Sequence, residues 1–216
     1  DFVVRERAFT GDISHELRTP VAVIVGAKEV LLTNQHLDQT MLKPLERIDR
    51  ATKQMSHLIS ALLILAREEP DKGNSVQLCQ VDEVLKQVVD EHRYLLEHKQ
   101  VMVSIDIEQP RAIPSNRVLL YVVLANLVRN AFSYTHQGNV MVRLQRDSVV
   151  IGDTGIGMGE DQLRRMFERH YSNHEKAGHG IGLSLVKRIC QHYAWTIDVQ
   201  SRKNQGTTVQ LHFNEN

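Results

Sequence analysis

The sequence predicts an α+β protein in which a helical hairpin is followed by a sandwich of helices against a sheet. Three observations support this prediction: a heptad seam over residues 45–66, alternating strand patterns after residue 75, and glycine-rich turns beside strands and helices. The 216 residues suffice for two modest domains. We expect residues 1–68 to form the hairpin, 69–77 a linker and 78–216 the α/β domain.

Apolar residues in the first part of the chain recur at helical spacing. In the first helix they are Phe9, Ile13, Leu17, Ile24 and Leu31. In the second they alternate steps of three and four, as at the a and d positions of a heptad: Leu45, Ile48, Thr52, Met55, Ile59, Leu62 and Ala66. Polar residues 34–40 predict the turn, and Pro44 is expected in the first turn of the second helix. Two helices cannot enclose a core alone, so we expect a homodimer that closes a four-helix bundle.

The second part of the chain alternates between strand and helix patterns. The predicted order is strand 75–81, helix 82–97, strand 101–107, helix 115–132, strands 139–145 and 148–153, helix 181–193, and strands 196–201 and 207–213. Ser115 is the predicted N-cap of the long central helix. We expect a hairpin at residues 146–147 and a closing pair formed by the last two strands.

The composition disfavours several kinds of partner, without excluding a local basic patch. Lys plus Arg and Asp plus Glu both number 26, so no net field favours nucleic acid or an anionic membrane. Cys79 and Cys190 fit no metal-ligand spacing and are expected to be reduced and buried. No apolar run reaches the roughly 20 residues that span a bilayer. The chain begins at Asp1 without a Met, and we expect it to be a piece of a longer protein.

Three glycine-rich stretches indicate a possible ligand site: "DTGIGMG" (153–159), "GHGIGLS" (178–184) and "GTT" (206–208). None fits a P-loop or a dinucleotide fingerprint. Gly178, Gly180 and Gly182 precede a helix, whose N-terminal amides favour phosphate. Asp153 ends a strand, where its carboxylate suits an exocyclic amine such as that of adenine. The alternative is a set of turns without a ligand.

Two asparagines lie on an otherwise apolar helix. Asn126 and Asn130 are four residues apart and share a face. Their amide oxygens suit Mg²⁺, although a pair of satisfied core amides explains them equally well. About twenty polar residues separate the first two glycine stretches, a length typical of a lid or a disordered loop. A nucleotide site explains all of these features together.

The motifs resemble those of a known family. "FTGDISHELRTPVAV" resembles the phosphoacceptor box of bacterial two-component sensor histidine kinases, and "NLVRNAFSYT", "DTGIGMG", "MFERHYS" and "GHGIGLSLVKRI" resemble the successive boxes of their ATP domain. The match covers nearly the whole chain. It implies a dimeric phosphotransfer hairpin followed by a Bergerat-type catalytic domain that uses ATP and Mg²⁺. It also implies a receptor and membrane part outside this chain, which would be the cytoplasmic portion of a cell-membrane protein.

The resemblance assigns roles to the "HELRTP" segment. His15 is similar to the nucleophile that accepts the γ-phosphoryl group, and a neutral ring is required for attack. Glu16 would accept the hydrogen bond of the other ring nitrogen, and Thr19, one turn further on, would orient a water for phosphatase activity. Pro20 cannot donate to the carbonyl of Glu16, so a kink is expected beside His15. The alternative is an exposed histidine on a kinked helix.

The resemblance also assigns the nucleotide site. Asn130 is similar to the Mg²⁺ ligand, Asp153 to the adenine-amine acceptor and Phe167 to the lid anchor. The implied nucleotide contacts are Asn126, Arg129, Asn130, Tyr134, Asp153, Gly155, Gly157, Gly178, Gly180, Gly182, Leu183, Thr207 and Thr208. Which of the two threonines makes the contact stays open.

Two positions depart from the family pattern. Ser133 and Ser172 stand where a Lys and an Arg are frequent. The residues that would supply the missing positive charge are Arg129, Arg169, His174, Lys176 or His179, and the sequence does not choose among them.

The predicted function is an ATP-dependent autokinase that phosphorylates His15, passes the phosphoryl group to an aspartate of a cognate response regulator and also acts as its phosphatase. One alternative is a hydrolytic Bergerat-fold ATPase. Those enzymes have a glutamate base where this chain has Asn126, a poor base. The other alternative is a non-catalytic dimeric scaffold, which Ser133 and Ser172 favour.

Overall fold

The structure is a computed structural model that describes residues 21–31, 39–66, 77–167 and 182–214. It divides into two compact units, Asp1–Asn74 and Ser75–Asn216. Most of the predicted turn and linker lies outside the described residues.

The first unit contains helices α1 (residues 21–31) and α2 (Gln39–Ala66). Val21 packs with Ile59 and Leu63, and Lys28 Nζ donates to Asp49 Oδ1 over 2.6 Å. Val21, at the start of α1, therefore contacts the late part of α2, whereas Lys28, further along α1, contacts Asp49 in the earlier part of α2. The two helices are therefore antiparallel, as predicted.

Burial divides the heptad seam of α2 into two rows. Leu45, Thr52 and Ile59, seven residues apart, are 5%, 3% and 6% exposed. Ile48 and Met55, from the other row, are 41% and 48% exposed. One row thus packs within this chain, while the other presents apolar surface to its surroundings.

The prediction for Pro44 was wrong. Helix α2 begins at Gln39, within the segment predicted as a turn, and Pro44 lies inside the helix. The proline is therefore in the second turn, where its missing N–H leaves the carbonyl of Thr40 without the usual helical donor. Helix formation over polar residues 39–40 extends the helix beyond its apolar seam.

The second unit is built on a five-stranded sheet in the order β2-β4-β5-β7-β6, with a separate two-stranded sheet of β1 and β3. Strands β2 and β4 are parallel, and the other pairs are antiparallel. The elements are β1 (Leu78–Gln80), α3 (Val81–His92), a 3₁₀ turn (Arg93–Leu96), β2 (Gln100–Ile107), β3 (Ala112–Pro114), α4 (Arg117–Tyr134), β4 (Gln137–Leu144), β5 (Ser148–Asp153), α5 (Glu160–Arg165), α6 (Gly182–His192), β6 (Thr196–Arg202) and β7 (Gly206–His212).

The predicted β4–β5 hairpin and the closing pair of β6 and β7 are confirmed. The predicted N-cap was wrong. The amide of Val118 donates to Asn116 Oδ1 over 2.9 Å, so Asn116 caps α4. Ser115 instead continues from β3, and its own amide donates to the carbonyl of Gln77 over 3.3 Å. Asparagine and serine cap helices about equally well, and the neighbouring strand decides between them.

Helix α4 forms the centre of this unit. It contacts α3, α6 and β5, and its buried residues include Leu120, Leu124 and Phe132, each 0% exposed. A helix that is apolar on all sides is stable only when it is covered on all sides. Both cysteines are buried and free, as predicted. Among the described helices, none is long and apolar enough to cross a membrane.

Candidate functional site

Several predicted site residues lie outside the described residues. They are His15, Glu16, Thr19, Gly178 and Gly180, together with Ser172 and four of its five candidate substitutes, Arg169, His174, Lys176 and His179. The geometry that follows concerns the second unit, where β5, β7, α4 and the start of α6 carry the other predicted residues.

Asp153 lies at the end of β5 as a half-buried carboxylate. Burial raises its pKa above the ordinary aspartate value, and hydrogen bonds from the backbone amides of Gly155 and Thr207 act in the opposite direction. The Gly155 amide donates to Oδ1 over 2.8 Å. The result is a desolvated acceptor with one oxygen already oriented by the loop that follows.

Strand register distinguishes the two threonines. Asp153 pairs with Thr207, and Gly152 pairs with Thr208. Because successive side chains alternate between the faces of a strand, Thr207 shares the face of Asp153 and Thr208 lies on the other. Thr208 is accordingly exposed, whereas Thr207 is half-buried.

The loop after β5 is held closely on both sides. The Ile156 amide donates to the carbonyl of Tyr134 over 3.2 Å, and a Cβ at Gly155 would collide with that same backbone. Gly157 has φ +57°, and a Cβ there would strike the carbonyl of Arg202. The glycines therefore allow the loop to lie directly on α4 and on the β6–β7 turn.

Asn126 and Arg129 form a small polar group beneath the start of α6. Asn126 Nδ2 donates to the Val122 carbonyl over 2.7 Å, and Arg129 Nη2 donates to Asn126 Oδ1 over 2.8 Å. A Cβ at Gly182 would collide with Asn126 Oδ1. Burial lowers the pKa of Arg129, against the raising effect of Tyr94 and Tyr134. Both polar atoms of the Asn126 amide thus have a protein partner, and a contact of this residue with a nucleotide stays a prediction.

Asn130 lies one turn beyond Asn126 and is half-buried. Among the described residues, no group of three or more His, Cys, Asp and Glu side chains could hold a metal ion. Mg²⁺ commonly takes one or two protein oxygens and completes its shell with phosphates and water. A single amide oxygen at Asn130 fits that mode of binding.

Phe167, the predicted anchor of the lid, lies beside α6. Lys187 Nζ on α6 lies 6.0 Å from the ring centroid of Phe167. Leu183, next to Gly182, is half-buried in the first turn of α6. Tyr134 ends α4, and burial raises the pKa of its phenol, with Arg129 acting in the opposite direction.

Two residues of this region had no signal in the sequence. Ser201 Oγ accepts from the Met158 amide over 2.8 Å and lies 2.9 Å from Thr207 Oγ1. Lys99 Nζ donates to the carbonyls of Phe132 and Ser133 over 2.6 and 3.1 Å. Neither belongs to a glycine-rich stretch or to the asparagine helix, and only the packing brings them to the site.

Comparisons with known proteins agree with this architecture. Residues 5–71 match the family model of the His Kinase A (phospho-acceptor) domain, and residues 115–216 match that of the histidine kinase-, DNA gyrase B- and HSP90-like ATPases. The heme sensor protein HssS of Staphylococcus saprophyticus is 31% identical over 215 residues, or 95% of this chain and 46% of its own. The chain belongs to the sensor histidine kinases.

Two further relatives match over the same region. Sensor protein BasS of Escherichia coli is 33% identical, over 94% of this chain and 56% of its own. Sensor-like histidine kinase SenX3 of Mycobacterium tuberculosis is 26% identical, over 95% of this chain and 53% of its own. The chain thus spans about half the length of these relatives.

Two solved structures share the fold. Full-length ShkA, crystallised in complex with AMPPNP, superposes with a TM-score of 0.66 over 94% of this chain and 45% of its own, at 21% identity. The cytoplasmic segment of histidine kinase QseC gives a TM-score of 0.52 over 78% of this chain and 95% of its own, at 22% identity. The predicted α+β fold of hairpin and Bergerat-type domain is therefore confirmed.

Proposed function

We propose that this chain is an ATP-dependent histidine autokinase that phosphorylates His15 and passes the phosphoryl group to an aspartate of a cognate response regulator. The observation that carries the proposal is the order of the two family matches. A phosphoacceptor domain at residues 5–71 precedes an ATPase domain at residues 115–216 in one chain. Phosphatase activity toward the same regulator, assisted by Thr19, is part of the proposal.

In this proposal the nucleotide lies on the face of β5 and β7 that carries Asp153 and Thr207. The carboxylate of Asp153 accepts from the exocyclic amine of adenine, and its burial strengthens that hydrogen bond because water is excluded. Asn130 would contribute the protein ligand of Mg²⁺, which supplies charge neutralisation at the phosphates when bound. The remaining proposed contacts are Asn126, Arg129, Tyr134, Gly155, Gly157, Gly178, Gly180, Gly182 and Leu183.

Phosphoryl transfer then depends on positioning. A neutral ring nitrogen of His15 attacks the γ-phosphorus, the bond from that phosphorus to the bridging oxygen breaks, and ADP leaves. Glu16 accepts a hydrogen bond from the other ring nitrogen and stabilises the positive charge that develops on the ring. Of the five candidates for the charge missing at Ser133 and Ser172, we propose Arg129, because its half-buried guanidinium lies beside Gly182 at the start of α6.

The hydrolytic ATPase is disfavoured by the contacts of Asn126. Both polar atoms of its amide already have protein partners, Val122 and Arg129. An amide has no basic lone pair near neutral pH, so this side chain cannot activate a water. The scaffold alternative predicts that ATP binds without any transfer to the hairpin.

Incubation with γ-labelled ATP and Mg²⁺ tests the proposal. We expect an acid-labile, base-stable phosphate on the wild-type chain and none on His15→Gln, while both bind ADP equally. ATP turnover that is the same in His15→Gln, without a phosphoenzyme, would establish the ATPase. ADP binding with no label on the wild type would establish the scaffold or a chain that acts mainly as a phosphatase.

The wider organisation belongs to the same proposal. We propose residues 1–68 as the dimerisation and phosphotransfer hairpin, 69–77 as the linker and 78–216 as the catalytic domain. The chain would act as a homodimer, without nucleic acid, as the cytoplasmic portion of a cell-membrane receptor. Support for the homodimer comes from the exposed row of the α2 seam, Ile48 and Met55.

A further inference from the structure

The end of α4 is held by groups from outside the helix. The last four carbonyls of a helix lack helical donors. In α4 each accepts a hydrogen bond: Ala131 from Thr135 Oγ1 over 2.7 Å, Phe132 and Ser133 from Lys99 Nζ over 2.6 and 3.1 Å, and Tyr134 from the Ile156 amide over 3.2 Å. The middle two therefore depend on one side chain that is more than thirty residues away in the sequence.

We propose that Lys99 is a positioning residue of the nucleotide site: its ammonium group holds the last turn of α4 in the place that the Asp153 loop requires. This inference rests on the proposed function, since it assigns a role toward the same nucleotide. It concerns a residue that does not itself contact the ligand.

Charge and geometry favour this role for Lys99. Helix ends carry partial negative charge on their free carbonyls, and a cation there is stabilising. In the described helix α4 the last turn contains no basic side chain, so Lys99 supplies the charge from another part of the fold. His98, at φ +64°, turns the chain immediately before it, and the Lys99 amide donates to the Leu96 carbonyl over 3.0 Å. Lys99 is half-buried, and this burial lowers the pKa of its ammonium group.

A continuous set of contacts leads from Lys99 to Asp153. The turn that Lys99 holds ends at Tyr134, whose carbonyl accepts from Ile156. Gly155 lies so close to the Tyr134 backbone that it has no room for a Cβ. The Gly155 amide in turn donates to Asp153 Oδ1 over 2.8 Å. A shift of the last turn of α4 would therefore move the donor that orients the carboxylate.

Isothermal titration of the 216-residue chain with Mg²⁺ and ADP tests this role without turnover. Lys99→Met keeps the length and apolar stem of the side chain but removes both hydrogen bonds. We expect the Kd to rise about tenfold at unchanged stoichiometry, the scale of losing hydrogen bonds from a charged donor. Lys99→Arg restores a charged donor and is expected to stay within about threefold of wild type. Lys86→Met, at a lysine whose side chain is 56% exposed, is the matched control and leaves the Kd unchanged.

The outcomes separate the two proposals. A wild-type chain that does not bind ADP contradicts the proposed function itself. A wild-type chain that binds, together with Lys99→Met at the same Kd, overturns the role of Lys99. Reduced stoichiometry at an unchanged Kd also overturns it, because that result reports unfolded molecules and not a displaced site. If Lys99→Met does not fold, Lys99→Gln takes its place, with an expected rise of about threefold or more, and an unchanged Kd is again decisive against the role.

Discussion

The amide of Gly155 donates to Asp153 Oδ1 over 2.8 Å, while the position that a Gly155 side chain would occupy is filled by the backbone of Tyr134. One glycine thus orients the carboxylate and allows its loop to lie against α4.

A methyl group at Gly155 is expected to disturb both the fold and the site. Gly155→Ala forces the loop away from Tyr134, and overpacking of this kind costs about 1–3 kcal/mol in the free energy of unfolding. Gly159→Ala, in the same loop, is the control, because the nearest atom to its Cβ is Gln162 Oε1 at 4.0 Å. Its effect is expected within about 0.5 kcal/mol. Fluorescence of Trp195, the single tryptophan and a buried residue of this unit, follows unfolding; equal losses in both variants would contradict the steric argument.

On acidification, nucleotide affinity is expected to fall at a higher pH than it would if Asp153 were an exposed aspartate. Burial raises the pKa of Asp153 in the folded chain, and only the ionised carboxylate can accept from an amine on both oxygens. As pH falls through that raised pKa, the acceptor is lost and the Kd for ADP increases. Folding stability has the opposite sign: the folded state takes up the proton more readily than the unfolded state, so the group's contribution improves on acidification.

Titration of the wild type and of Asp153→Asn with ADP between neutral pH and about pH 4.5 measures this effect. Protonation of the phosphates is common to both proteins and cancels in the ratio of the two Kd values. That ratio should approach one as the pH falls. A ratio that is constant over the whole range would mean that Asp153 does not titrate in contact with the ligand.

The two threonines of β7 are expected to behave differently. Thr207→Val removes a hydroxyl on the face of Asp153, 2.9 Å from Ser201 Oγ, and should raise the Kd for ADP about threefold to tenfold. Thr208→Val changes an exposed position on the opposite face and should stay within about twofold. Calorimetry on the two variants decides; a larger effect at Thr208 would place the nucleotide on the other side of the sheet.

The ion pair of the hairpin is expected to contribute to its stability. Lys28 and Asp49 lie 2.6 Å apart with side chains 11% and 25% exposed, and hydrogen bonds from Lys28 and then Lys53 lower the pKa of Asp49. Asp49→Asn should cost about 1–2 kcal/mol. The contribution is present above the unfolded pKa of the carboxyl group and is lost as pH falls through its lower, folded value.

Glu46→Gln provides the comparison for that pair. Glu46 Oε2 is 3.6 Å from Arg50 Nη1 on the surface of the same helix, with 65% of the glutamate side chain exposed, so its loss should cost less than about 0.5 kcal/mol. Far-UV circular dichroism reports the helices of both units, while Trp195 fluorescence reports the second unit alone, so a transition seen only in the circular dichroism belongs to the hairpin. A shift of the fluorescence transition in Asp49→Asn, without a shift of the helical signal, would contradict the assignment.

The exposed row of the α2 seam is expected to form the dimer contact. Ile48→Lys combined with Met55→Lys places charges in a row that one chain leaves 41% and 48% exposed, so the hairpin should stay helical while the dimer dissociates. Gln54→Lys, exposed and outside the seam, should leave the mass unchanged. Sedimentation equilibrium measures the mass; a double variant that is still dimeric would assign the dimer contact elsewhere.

Features that depend on residues close together in the sequence could be predicted, whereas features that depend on contacts between distant residues could not. Heptad spacing in residues 45–66 predicted α2 and its seam, and alternation predicted the β4–β5 hairpin, because neighbours along one element are set by its own period. The motifs predicted the family for the same reason, since each box is a short local pattern. Where two local signals compete, as at Ser115 and Asn116, the pairing of β3 decided the cap.

The sequence by itself determined the helical hairpin, most strand and helix segments of the second unit except β3 and α5, and the residues with the chemistry of a nucleotide site. Only the tertiary structure decided that Thr207 and not Thr208 shares the face of Asp153, that Asn126 is satisfied by Arg129, and that Lys99 holds the end of α4. Each of these depends on strand register or on the packing of elements that are distant in the chain. Such contacts leave no periodic pattern in the sequence, because the interactions that stabilise them form between different segments of the chain and not within one segment.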